Sequence, residues 1–291
     1  MSVLERERIR KSPRAAELFG HSHRGAVGFL RMRLKDKVII VTGGTSGIGQ
    51  AIAERAVAEG ARVLVHGIDR KDGEAVVAKL GTSSALHLDD LIDPASPPRI
   101  AAAAMKAFGK IDAVVNNAAI VARSNLQSAD PAFFDRMMAV NVRAALFLIQ
   151  AAFPQLKANQ GCVLNIGSIN AHSGQANLLD YSLSKGALQT LSRNLANAHA
   201  TDRVRVNHLN VGWVLTQREY EHQIEHGMPR DWPENVPAQF APWGRLMMPE
   251  EIAAAAVYWL GDESRPVSGA VVDMEQFSLI GRNPNKTAPK S

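Results

Sequence analysis

Short apolar runs alternate along this chain with longer segments whose apolar positions recur at helical spacing. The first run, Val38–Val41, ends in Thr42-Gly43-Gly44. Gln50–Glu59 then carries Ala and Ile on one helical face, and Gly60 is placed to end that helix. Further strand-like runs follow at Arg62–Val65, Ala85–Leu88, Ile111–Val115, Cys162–Ile166, Val204–Asn207 and Gly269–Val272. Helical patterns lie between them, among these Pro98–Phe108, Phe133–Leu156, Tyr181–Ala200 and Glu250–Leu260. This alternation predicts an α/β fold, with about seven parallel strands and helices on both faces of the sheet. Right-handed crossovers make it a single doubly wound, Rossmann-type domain. The domain is expected over 35–291, after a basic N-terminal extension over 1–34. Within it, Trp213–Arg245 is one long irregular stretch rich in Pro, Trp and His, which predicts a lid over a site (about 213–245).

Composition changes this picture little. A chain of 291 residues with 46% hydrophobic residues has ample material for one core. Apolar runs such as Ala253–Leu260 are far too short to cross a bilayer, so no membrane partner is expected. The single cysteine, Cys162, excludes a disulfide framework and fits a reducing, cytoplasmic setting. The net charge of +5 is uneven. Arg6, Arg8, Arg10, Lys11, Arg14, Arg24, Arg31 and Arg33 face only Glu7 and Glu17 within Arg6–Arg33, and the remainder is close to neutral. Such an arm suits nucleic-acid binding or an organellar address, but a flexible or partner-packing tail is the plainer reading. No nucleic-acid partner is expected, and the arm lacks the apolar core of a secretory signal.

Two motifs carry chemistry. Thr42–Gly49 (TGGTSGIG) joins the first strand to the first helix. Its glycines let the backbone approach a pyrophosphate, and the helix N-terminus supplies unpaired N–H groups. Its spacing is Gly-x-x-x-Gly-x-Gly, not the general dinucleotide fingerprint. Tyr181 and Lys185 stand four apart on a helical pattern, which puts them on one face. A tyrosine hydroxyl is a poor base at neutral pH, and a neighbouring ammonium favours its phenolate. No His, Cys or Asp cluster has zinc-ligand spacing, so no metal is expected.

Taken together, TGGTSGIG, Asn116-Asn117-Ala118, Asn141, Ser168, Tyr181-Ser-Leu-Ser-Lys185 and Gly212-Trp213-Val214-Leu215-Thr216 resemble the short-chain dehydrogenase/reductase family in order and spacing, from about Lys35 to about Gly281. The resemblance implies an NAD(P)-dependent oxidoreductase that moves a hydride between nicotinamide and a hydroxyl or carbonyl carbon. Tyr181 would exchange the substrate proton, and Lys185 would lower the Tyr181 pKa and bond the nicotinamide ribose. Ser168 would orient the substrate oxygen, and Asn141 would hold a water linking Lys185 to solvent. Gly43, Thr45, Ser46, Gly47, Ile48 and Gly49 would form the cofactor turn. Asn117 and Ala118 would line the adenosine side, Asp90 with Leu91 would meet the adenine, and Gly212, Val214 and Thr216 would hold the nicotinamide end. A homo-oligomer, dimer or tetramer, is implied, built on the long helices Phe133–Leu156 and Leu179–Ala198.

Departures from the family pattern sit at Ala119, Val211 and Met274-Glu275, where Gly, Pro and Gly-Gly are usual. None removes a catalytic group. At the end of the second strand, Gly67 stands where an NAD-binding Asp is expected, and Ile68 where NADP enzymes often carry Arg. Asp69 comes late for a ribose contact and Arg70 is placed to reach a phosphate, so the reading favours NADP, with NAD the alternative. Asn170, His172, Gln175, Trp213, Gln217 and His222 suit a small polar substrate such as a polyol or sugar acid. The alternative is that Trp213, Trp232 and Trp243 merely pack the lid, with His222 and His226 on its solvated face. A catalytically silent NAD(P)-binding sensor or scaffold of the same fold is the alternative function.

Overall fold

The structure is a computed structural model that describes residues 32–278. Most of the 1–34 extension and the end of the chain beyond 278 therefore lie outside the described residues. Seven strands form one parallel sheet: β1 (Val38–Val41), β2 (Arg62–Gly67), β3 (Ser84–Leu88), β4 (Ala113–Asn116), β5 (Cys162–Ser168), β6 (Arg205–Val211) and β7 (Val271–Met274), in the order β3-β2-β1-β4-β5-β6-β7. The helices are α1 (Gly47–Ala58), α2 (Arg70–Leu80), α3 (Ser96–Phe108), α4 (Pro131–Met138), α5 (Ala144–Ala158), α6 (Asn170–Ser173), α7 (Leu179–Ala198), α8 (Gln217–Glu225) and α9 (Pro249–Leu260).

The apolar runs become strands because both of their faces are covered. Every residue of β1, β4, β5 and β6 is buried. Ile39, Val41, Val63, Val65, Val115 and Leu164 pack beneath α1 and α9, while Ile40, Leu64, Val114, Val163 and Val206 point the other way onto α3, α5 and α7. Strand order reverses between β1 and β4, and that switch point opens a crevice at the carboxyl ends of the strands.

Several expectations are corrected. The predicted Phe133–Leu156 helix is two helices joined by a π-turn, Ala139–Arg143, that carries Asn141. Taken as one helical stretch, Pro131–Ala158 is long and apolar enough to cross a bilayer, although half of its most apolar window is buried inside the fold. Helix α2 was not predicted, because its charged sequence buries only Gly73 and Val76. β4 and β7 each begin two residues later than predicted. Leu34, counted with the extension, is fully buried in the core, and its N–H donates to the Glu59 carbonyl at 2.9 Å. Beside it Arg33 pairs with Glu263 at 2.6 Å.

Ile52, on α1, is fully buried in the core between the sheet and the helices α1 and α9. Ile52→Ala should destabilise the protein by about 3 kcal/mol through lost burial plus a cavity, as read by urea unfolding. An effect below about 1 kcal/mol would mean that this layer collapses to fill the gap.

Candidate active site

The Thr42–Gly49 turn is knitted to the end of β4. Thr42 N–H donates to Val115 O at 3.0 Å, and Thr42 Oγ1 accepts from the N–H groups of Asn117 (3.0 Å) and Ala118 (3.1 Å). Asn117 Nδ2 returns bonds to Thr42 O at 3.0 Å and Gly43 O at 3.2 Å. Gly43 has φ 62°, and a Cβ on Gly49 would fall 2.2 Å from the Gly43 carbonyl oxygen and 2.4 Å from Asn117 Nδ2. The turn thus folds back on itself with no space for side chains. Ser46 precedes α1 in extended conformation and its side chain makes no capping bond, so the helix N-terminus is presented bare to the crevice. That is the donor set a pyrophosphate requires, and the residues fit a dinucleotide. Ile48 packs against the core, and Thr216 closes the other side, with its methyl carbon 3.3 Å from where a Gly47 Cβ would stand.

At the ribose end, Gly67 is set by packing. A Cβ there would lie 2.5 Å from Thr45 Cγ2, so the buried Thr45 leaves no room for a carboxylate side chain. Asp69 caps α2, accepting from Asp72 N–H at 2.9 Å. Ile68 is 71% exposed. Arg70 is exposed and pairs loosely with Glu74 at 3.4 Å. Asp90 Oδ1 accepts from Ile92 N–H at 2.9 Å, while the Leu91 side chain is buried in the core. Nearby, Arg99 grips Asp89 through two bonds of 2.7 Å and holds its carboxyl down to about 2.

The predicted chemical residues converge at the carboxyl ends of β4 and β5. Ser168 stands by the Tyr181 hydroxyl and lowers its pKa, and its Oγ accepts from Asn170 N–H at 3.2 Å. Lys185 Nζ donates to Ile166 O at 2.8 Å and lies 5.6 Å from the Tyr181 ring centroid. Asn141 is fully occupied: Oδ1 accepts from Ile120 N–H at 2.8 Å, and Nδ2 donates to Ile120 O at 3.0 Å and Ser184 Oγ at 2.9 Å. The amide inside an apolar helix has its partners, and it reaches toward Lys185 through Ser184. Burial dominates the electrostatics here. It pushes Tyr181 up to about 12, with the Ser168 bond opposing and the Glu219 carboxylate adding to the rise. The same burial lowers Lys185 to about 8. The expected depression of Tyr181 is therefore absent, because burial is the largest influence on the phenol and Lys185 Nζ donates to Ile166 O.

The lid is more ordered than its irregular sequence suggested. It contains α8, capped by Thr216 Oγ1, which accepts from Glu219 N–H at 3.0 Å. Leu215, Tyr220, Trp232, Ala241 and Leu246 give it a core of its own. Trp213 stacks on Trp232 at 5.4 Å between ring centroids and donates to Glu219 Oε1 at 2.9 Å, whereas Trp243 is 78% exposed. His222 is half-buried, and His226 and Gln175 are exposed. Val214 is buried, bridging Met247. Gly212 packs against Glu275, a half-buried carboxylate raised by burial. Glu219 and Glu275 were missed as site residues; the altered Met274-Glu275 motif was the only signal for the second.

The fold and site agree with known proteins. The family model described as enoyl-(acyl carrier protein) reductase matches residues 43–276. The 2-(S)-hydroxypropyl-CoM dehydrogenase 3 of Xanthobacter autotrophicus is 34% identical, over 82% of this chain and 94% of its own. The D-threitol dehydrogenase of Mycolicibacterium smegmatis is 33% identical, over 82% and 91%. Among solved structures, the 3-ketoacyl-(acyl-carrier-protein) reductase from Brucella melitensis complexed with NADH superposes with a TM-score of 0.73 at 28% identity, covering 83% of this chain and 97% of its own. The chain therefore belongs to the short-chain dehydrogenase/reductase family, as an NAD(P)-dependent oxidoreductase.

Proposed function

We propose that the enzyme interconverts a hydroxyl and a carbonyl group on a small polar substrate, a polyol or sugar acid, with Tyr181 moving the oxygen's proton. The observation that carries this reading is the Ser168 side chain beside Tyr181, where it lowers the phenol's pKa against burial, with the Lys185 ammonium 5.6 Å from the ring. Nicotinamide supplies or removes the hydride when bound. In the reducing direction Tyr181, which burial keeps protonated up to about 12, donates to the carbonyl oxygen. In the oxidising direction Tyr181 acts as the phenolate, stabilised by Lys185 and Ser168, and becomes a phenol as it takes the hydroxyl proton. Asn141 and Ser184 hold the helix that carries both, and Ser168 orients the substrate oxygen.

Gly43, Ser46, Gly47 and Gly49 would hold the pyrophosphate, Asn117, Ala118, Asp90 and the Leu91 backbone the adenosine, and Gly212, Val214, Thr216 and Lys185 the nicotinamide end. NADP is favoured over NAD because Gly67 brings no carboxylate, Asp69 caps α2, and Arg70 is exposed at the ribose end. The threitol and hydroxypropyl relatives support a small hydroxylated substrate. We take the enzyme to be a cytoplasmic homo-oligomer associating through α5 and α7, where Leu146, Phe147 and Leu183 are exposed.

Titration with NADPH and NADH, followed by a screen of polyols, sugar acids and ketones at the reduced-nicotinamide absorbance, tests this. Tyr181→Phe should lower kcat about a thousandfold, the scale of a lost acid/base, with little change in cofactor Kd. Arg70→Ala should weaken NADPH about tenfold and leave NADH unchanged. Binding of neither nucleotide contradicts the proposal.

Burial of Lys185 also sets a pH trend. Its folded-state value of about 8 lies below the ordinary 10.5, so the unfolded chain binds the extra proton between these values and stability rises with pH there. Lys185→Met should therefore be more stable than wild type near pH 7, with the gap closing between pH 8 and 10 in urea melts. A gap that widens with pH would contradict the buried ammonium.

A further inference from the structure

A chain of polar side chains, buried over most of its length, crosses the sheet and ends at Asp273 and His172. Asn116, Asn165 and His208 stand in register on β4, β5 and β6, and two residues further on Gly167, Asn210 and Asp273 stand in register on β5, β6 and β7. Asn116 Nδ2 donates to Asn165 Oδ1 at 2.8 Å, and Asn165 Nδ2 donates to Ser192 Oγ at 2.8 Å. Ser192 Oγ is 2.9 Å from His208 Nδ1, and His208 Nε2 is 3.0 Å from Asn210 Oδ1. Asn210 Nδ2 lies 2.7 Å from Gln189 Oε1, 3.0 Å from Asp273 Oδ1 and 3.0 Å from His172 Nε2, and its two hydrogens go to the two oxygens, which can only accept. The chain ends where Asp273 Oδ1 meets His172 Nε2 at 2.8 Å.

Hydrogen counting gives this chain one direction. The amide oxygen of Asn210 only accepts, so His208 carries its hydrogen on Nε2. Burial holds His208 down to about 4, so the ring is neutral and Nδ1 must accept. The single Ser192 hydrogen then points at Nδ1, in preference to the Leu188 carbonyl also in reach at 2.8 Å. Every donor from Asn116 to Asn210 aims toward Asp273, and each bond polarises the next. Room for the central step exists only because residue 167 is glycine: a Cβ there would lie 1.9 Å from His208 Nε2. Asn165, His208 and Asn210 are completely buried, at positions where apolar side chains would fill a parallel sheet without needing partners. The row does not simply repeat the Tyr181–Lys185 site; its outer end lies on α6, four residues past Ser168.

We propose that His172 is a substrate-reading residue, fixed by Asp273 so that Nδ1 of its ring hydrogen-bonds a second hydroxyl of the substrate. With Nε2 facing the carboxylate, Nδ1 is the ring nitrogen left to meet the substrate. The His172 side chain is 18% exposed, enough to meet a ligand at one edge. Asp273 is a positioning residue that acts through His172. The enzyme accordingly prefers diols and polyols over alcohols with a single hydroxyl. This inference rests on the oxidoreductase reading above.

Steady-state kinetics with 2,3-butanediol, threitol and 2-butanol test it, using wild type, His172→Leu and His172→Gln. Wild type should favour the diol and tetrol. His172→Leu should raise KM for both about tenfold, the loss of one hydrogen bond, with kcat and the 2-butanol parameters nearly unchanged. His172→Gln keeps a donor for Asp273 and an acceptor for substrate, and should restore most of the loss. Asp273→Ala should reproduce the KM effect, again without touching 2-butanol. An equal loss on 2-butanol, an unchanged diol KM, or a Gln variant no better than Leu would overturn the role of His172. Wild-type protein that oxidises none of the three but reduces ketones would overturn the polyol preference alone, and absence of any turnover would overturn the oxidoreductase reading itself.

Discussion

The site depends on how closely two backbone segments approach at the sheet's switch point. The turn after β1 and the end of β4 share one crevice because Gly43 and Gly49 place no side chain between them, and Thr42 and Asn117 tie the two together. The bare N-terminus of α1 lies at that crevice, and the β5 end that carries Ser168 lies next to β4. Because β4 and β5 are paired in register, the position of Ser168 follows from the same hydrogen-bond ladder that fixes the turn. Helix α7 then has one task, to hold Tyr181 and Lys185 over this edge.

Burial sharpens the chemistry at a cost in stability. A desolvated tyrosine keeps its proton and a desolvated lysine gives its proton up more readily, so burial opposes the catalytic form of each. Polar contacts compensate: Ile166 O holds the ammonium, Ser168 meets the phenol, and Asn141 ties α7 to the Ile120 loop through Ser184. The π-turn at Ala139–Arg143 is what turns Asn141 inward from a helix otherwise apolar on that side, in keeping with the placement of such turns at functional sites.

Much of this was legible in the sequence. The strands could be read because runs such as Val38–Val41 are buried on both faces, and the catalytic set could be read because Tyr181 and Lys185 keep helical spacing. What periodicity could not show depended on tertiary partners. The π-turn leaves the apolar pattern of Phe133–Leu156 intact, so the break there was invisible. Helix α2 rests on one exposed face with an Asp69 cap, and its charged sequence carries little apolar signal. The lid reads as irregular because its core is built from Trp213, Tyr220 and Trp232 at no regular spacing. The polar row from Asn116 to Asp273 is spread over four strands, and only register brings it together.

The most direct test of the account follows the hydride itself. A diol deuterated at its carbinol carbons, incubated with the enzyme and oxidised cofactor, should yield reduced nicotinamide carrying one deuterium by mass spectrometry, and Tyr181→Phe should leave that product near background. Reduced cofactor without deuterium, or undiminished transfer in the variant, would contradict hydride transfer governed by Tyr181.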